Sequence, residues 1–375
     1  AQRGTLSGVR QGSTKGYNNH FFGWNLAWPR WLANDWPRLI SFLAFGTFSA
    51  ALVAAPKFSG WGILGLVVMA TVLAPIFELR AFCRYLCPVT GFIGLYARNS
   101  KLALRVAEPQ VCSDCTVHTC LKGSAKGWAC PFGLCAQDIH ENTDCGMCTE
   151  CIKTCAYDNV TLRWRPAAPE TVIRSAGEAW LAMGMLVLAT IYCFVHLGHW
   201  PLLRDSVNVL DKGNWGMFLV FLTVVWALVL LVVPGLMFGL AALGRKLSGF
   251  APSSFSLMKS NTCVLLPLGL AVWISFVTPM FTTNLTFVIQ SLSDPFGWGW
   301  NLLGAAGSPW VQLWPRAIPF VQVAVLLLGF WYALRNGWRM WRALGGSRGA
   351  ALRGYAPLAA TLLIYTGGMI AFFAN

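Results

Sequence analysis

Seven stretches of predominantly apolar residues, each close to the length of a membrane crossing, constrain this chain more than any other feature. They lie at 38–56, 61–79, 177–199, 215–243, 262–282, 318–336 and 355–374. A bilayer core about 30 Å thick takes about 20 such residues in a helix. The fourth stretch is long enough to tilt or project. The fifth is interrupted by Pro267 and Pro279, whose missing backbone bonds neighbouring helices must accommodate. Composition agrees: 56% of the residues are hydrophobic and 11% charged, whereas a soluble domain is about 25% charged. The expectation is an all-α integral membrane protein with about seven transmembrane helices.

The formal net charge of +14 would suit a nucleic-acid binder, but its distribution excludes that reading. Placing the N-terminus in the cytoplasm puts 24 of the Lys and Arg residues on segments 1–38, 80–176, 244–260 and 335–353, on the inner side. Only Lys57, Arg204, Lys212 and Arg316 are left outside. This asymmetry is the one that orients membrane proteins. The predicted location is the cell inner (cytoplasmic) membrane, with 80–176 cytoplasmic and the C-terminus periplasmic or otherwise extracytoplasmic. No signal-peptide pattern appears in the residues given.

Nine of the 13 cysteines fall between Cys112 and Cys155. Cys145, Cys148, Cys151 and Cys155 form a C-x2-C-x2-C-x3-C run. In two-cluster ferredoxins three such thiolates hold one [4Fe–4S] cube and the fourth reaches the other. Zinc sites use two pairs with a longer spacer. A degraded second run lies upstream: Cys112, Cys115, Cys120 and, after an insertion, Cys130, which precedes Pro131. Crossed ligation assigns Cys112, Cys115, Cys120 and Cys155 to cluster 1, and Cys145, Cys148, Cys151 and Cys130 to cluster 2. Cys135 competes with Cys130 for the last place. Pro131, in the position that follows the distal cysteine of bacterial runs, favours Cys130, leaving Cys135 as a free or neighbouring thiol. His118 and His140 are expected to be ordinary hydrogen-bonding residues. Lys122, Lys126, Lys153 and Arg163 are candidates to offset cluster charge.

Cys83 and Cys87 stand four apart, where the second apolar stretch reaches the cytoplasm, and a helix would put them on one face. They are read as a redox pair, as a ligand pair for another centre, or as thiols packed near the clusters. Bis-His haem ligation needs histidines on two helices, and only His196 and His199 lie near a span, both at one end of the same stretch. Cys193 and Cys263, within spans, read as small apolar residues. The outer loop 283–317 carries Phe296, Trp298, Trp300, Trp310 and Trp314, an aromatic set suited to the membrane interface, or to docking a partner subunit or a quinone headgroup.

Phe82-Cys83-Arg84-Tyr85-Leu86-Cys87-Pro88, followed by Gly91, Leu95 and the cysteine runs ending at Cys155-Ala-Tyr-Asp-Asn, resembles the NapH/NosR-type membrane polyferredoxins. The resemblance covers 80–165. It implies two [4Fe–4S] clusters on the cytoplasmic side and quinol-linked electron transfer. Members of that family often carry a second C-x3-C-P motif, and here its place near Gly249-Phe250-Ala251-Pro252 holds no cysteine.

The expected organisation is an N-terminal segment with helices 1–2 and the C-x3-C-P motif over 1–106, a cytoplasmic two-cluster ferredoxin-like α+β domain inserted at 107–168, and helices 3–7 over 169–375. The expected function is an electron-transfer subunit of a membrane redox complex. Its partners would be other redox subunits, membrane lipid and quinone as the mobile carrier. No residue set for acid–base or nucleophilic catalysis is evident. The alternative is an iron–sulfur redox sensor or a maturation factor for a respiratory metalloenzyme.

Overall fold

The computed structural model describes residues 24, 26–54, 56–166, 173, 175–250 and 252–374, and for 52–58 and Asp211 the backbone alone. Among the described residues six helices are long and apolar enough to cross a membrane: Ser59–Ile76, Ala176–Leu197, Trp215–Ser248, Ser254–Ser293, Pro315–Ala343 and Arg348–Ala374. They make the chain a multi-pass membrane protein. The first predicted span, 38–56, falls on the helix Trp36–Ala54, whose side chains from residue 52 onward lie outside the described residues.

The chain divides into two compact units, one drawn from 1–184 and 206–234, the other from 185–205 and 235–375. In the first, α1 (Trp36–Ala54) and α2 (Pro56–Ile76) are followed by a π-helical turn at Phe82–Leu86 and by α3 (Pro88–Tyr96). Leu39 and Leu43 of α1 are fully buried. The Trp226 indole donates to the Thr47 hydroxyl at 3.2 Å. The π turn at Leu228–Val232 leaves the Leu230 carbonyl to accept from the Trp180 indole at 3.3 Å. Such turns open the regular ladder and free a carbonyl for another partner.

The polar insert starts earlier than composition suggests. β1 (Leu102–Val106) pairs antiparallel with β2 (Val160–Trp164), with Leu102 opposite Trp164 and Val106 opposite Val160. The two strands close the base of the cysteine-bearing loop, and β1 lies before the expected boundary at 107. Within the loop run only short helices: α4 (Pro109–Ser113), α5 (Thr119–Lys122) and α6 (Glu150–Thr154). A small core of Leu104, Ala136, Ile139, Cys151 and Val160 packs against further cysteines. So little apolar mass cannot stabilise a domain of this size unaided.

Beneath this domain, at the N-terminus of α7 (Ala176–Leu197), the Arg98 guanidinium is 1% exposed. It bonds the Glu178 carboxylate and lies 3.1 Å from that of Glu141.

In the second unit, after α8 (Trp215–Ser248) has crossed into it, α9 (Leu265–Ser293), α10 (Ile318–Ala343) and α11 (Arg348–Ala374) form the bundle. The two prolines expected to break the fifth span do not. Pro267 sits in the first turn of α9, where no N–H is needed. Pro279 deprives the Ser275 carbonyl of its intrahelical donor, and the Gln322 amide of α10 replaces it at 2.8 Å. The Ser275 hydroxyl returns a bond to the Gln322 carbonyl at 3.1 Å. A neighbouring helix thus satisfies the freed group, as the bilayer requires. α9 also runs on to Ser293, so the predicted outer loop is helical over its first eleven positions.

Candidate cysteine site

The C-x2-C-x2-C run curls because two of its residues leave the ordinary backbone regions. Met147 and Thr149 have φ of 51° and 61°, a costly conformation for residues with a Cβ, and one that persists where the surroundings impose it. Gly146 lies between them and Cys145, and a Cβ there would meet the Phe132 ring at 2.7 Å. The outcome is one small cavity lined by Cys145, Cys148, Cys151 and Cys130, with Leu104, Phe132, Leu134 and Ile139 as its apolar walls.

These four thiols act on one another. Burial first, then the neighbouring Cys130, Cys145 and Cys148, pushes Cys151 up to about 12. Burial also leads in raising Cys130 and Cys145. Backbone amides oppose this, with the Leu134 N–H donating to the Cys130 sulfur at 3.4 Å. Crowded thiols resist ionising alone and ionise readily around a shared cationic centre.

The second group is gathered by Asn159. Its side-chain amide donates to the Cys112 sulfur and its backbone N–H to the Cys155 sulfur, both at 3.3 Å. Burial leads in raising Cys112, and Cys135, Cys155 and Cys115 all add to it. Cys120 reaches the group by a hydrogen bond with Cys135. That bond raises Cys120 and lowers Cys135. His118, at φ 48°, adds a favourable charge interaction to Cys135.

The sequence sets Cys135 against Cys130 for the last place of cluster 2 and favours Cys130. Cys130 lines the cavity of Cys145, Cys148 and Cys151, while Cys135 stands with Cys120 and Cys112. The role of Asn159 had a sequence signal, since it stands four residues after Cys155, as Leu134 does after Cys130.

Among the described residues no three His, Cys, Asp or Glu side chains converge on a single ion. A mononuclear centre draws its donors to about 2.0–2.3 Å. In a cubane each thiolate meets its own iron, so the four sulfurs stand apart.

Around it, Arg105 has a favourable charge interaction with Cys145 and donates to the His140 carbonyl at 2.7 Å. Two of the four cations expected from sequence are engaged locally: Lys153 with Glu150 at 2.7 Å and Arg163 with the Ala107 carbonyl at 3.2 Å.

The loop is tied to the end of α2. The Arg80 N–H donates to the Pro131 carbonyl at 3.0 Å, and the Arg84 side chain donates to the Phe132 carbonyl. Cys83 and Cys87 do not share a helix face. Cys83 belongs to the π turn, and Cys87 is extended, with ψ 121°, because the residue before a proline avoids the helical region. Burial raises Cys83, and neighbouring Cys87 adds to it.

His199 lines a separate apolar cavity in the second unit with Thr190, Trp200 and Tyr365, where the Thr190 and Tyr365 hydroxyls are 2.6 Å apart. In the outer loop Phe296 stacks on Trp298 at 4.7 Å, and both are exposed.

Fold and site together define a multi-pass helical membrane protein carrying a compact cysteine-rich domain. Comparison with protein-family models, with curated proteins and with solved structures found no match.

Proposed function

We propose that the chain is an electron-transfer subunit of a membrane redox complex, its cysteine domain a ferredoxin-like carrier of two [4Fe–4S] clusters. The observation that carries this reading is the convergence of Cys130, Cys145, Cys148 and Cys151 on one cavity, beside a second thiol group held by Asn159. Cys112, Cys115, Cys120 and Cys155 would hold the first cluster. When bound, the clusters supply one-electron carriers whose potential responds to burial and to hydrogen bonds on sulfur.

The chain's own residues do the rest. The Leu134 and Asn159 N–H groups stabilise thiolate charge. Phe132, Leu134 and Ile139 keep water from the cavity. Arg80 and Arg84 fix the domain to the membrane helices. In this reading the domain faces the cytoplasm, the carrier on the membrane side is a quinone, and the other side is served by partner redox subunits.

Purification in mild detergent under anaerobic conditions tests it. The expected result is stoichiometric recovery of cofactor-bearing partners and quinol-dependent appearance of an iron–sulfur EPR signal. Transient association with an enzyme under assembly, without quinol response, would favour the maturation reading.

A further inference from the structure

A partly open cavity lies at the end of α2 and is lined by Val67, Ala70, Thr71, Ala74, Pro75, Leu79, Arg80, Ala81, Phe82 and Cys83. We infer that it is the headgroup site of an isoprenoid quinone drawn from the bilayer, an inference that rests on the electron-carrier reading.

Three observations specify the occupant. The cavity opens on a helix of membrane-crossing length, none of whose apolar window is buried, so a lipid-soluble molecule reaches it without passing through water. Its apolar wall ends in a few polar groups, as small-molecule sites do. The Arg80 guanidinium and the Cys83 thiol are donors suited to a quinone carbonyl. Pro75 has no N–H and so withdraws the intrahelical donor from the Thr71 carbonyl, leaving an acceptor suited to a quinol hydroxyl.

Third, one lining residue is tied to the cysteine domain. Arg80 donates its N–H to the Pro131 carbonyl at 3.0 Å, and Pro131 follows Cys130. Leu79, at φ 55°, makes the turn between the two. A bulky residue held in the left-handed region is a strained feature of the sort that gathers at ligand sites. A phospholipid tail would use the apolar wall but not this set of polar groups.

The test uses the full-length protein in nanodiscs of neutral phospholipid and a photoreactive azido analogue of an isoprenoid quinone. Mass spectrometry locates the adducts, and iron is measured on the same samples. The expected result is adducts within 67–83 that excess unlabelled quinone suppresses. Ala74→Trp and, from a second wall position, Ala70→Phe should each cut them about tenfold. Val68→Trp, on the same helix but outside the cavity and 52% exposed, should leave them intact.

Adducts concentrated instead at the Thr190 and Tyr365 cavity, equal suppression by lipid lacking a quinone ring, or indifference to both wall substitutions would overturn the inference. Iron separates the two claims. Iron-free protein that still labels at 67–83 defeats the electron-carrier reading and leaves the site. Iron-replete protein labelled elsewhere defeats the site and leaves the reading.

Discussion

Cys130 and Cys135 differ by five positions in sequence and by a whole site in space. Cys130 shares a cavity with Cys145, Cys148 and Cys151, whereas Cys135 is hydrogen-bonded to Cys120. Serine in place of Cys130 should therefore lower iron to about half of the roughly eight atoms that two [4Fe–4S] clusters contain, or unfold the domain. Cys135→Ser should leave iron and EPR signals unchanged, and Cys120→Ser should remove the first cluster. Exchange of the Cys120 and Cys135 results would make Cys135 the ligand of that cluster. The grouping of Cys145, Cys148 and Cys151 was legible because it rests on close local spacing, although the left-handed Met147 and Thr149 that curl the run were not. The partnership of Cys135 with Cys120 was not legible, because it depends on the turn after Pro131.

Among the elements, the joint between the strands and α7 carries the highest stakes. Arg98, Glu178 and Glu141 hold charge out of water, and such a group is stable only while every charge keeps its partner. Arg98→Ala leaves the Glu178 carboxylate buried without its cation, an expected loss of about 3–5 kcal/mol, measured by thermal unfolding in detergent. Adding Glu178→Gln to that variant should restore part of it, and a double variant no more stable than the single one would contradict this account. The helices were legible as apolar stretches, but their ends were not. The Gln322 amide that bridges Pro279 comes from a helix distant in sequence, so the prolines looked like breaks. β1 escaped notice because five residues of mixed character acquire meaning only once paired with β2.

For the molecule as a whole, the division of cationic residues sets the expected topology, with 80–176 and the C-terminus on opposite faces of the membrane. Fusing a reporter active only in the cytoplasm to Asn375 should give no signal, whereas the same reporter inserted in 107–168 should give one. A signal from Asn375 would reverse or remove a span. The central claim is that the cysteine domain holds two iron–sulfur clusters, and one measurement meets it most directly: iron and acid-labile sulfide per chain in anaerobically purified full-length protein, with EPR of the reduced sample. The account predicts roughly eight of each and two interacting [4Fe–4S] signals. Protein that is folded, membrane-inserted and free of iron, or that holds zinc in its place, would contradict it.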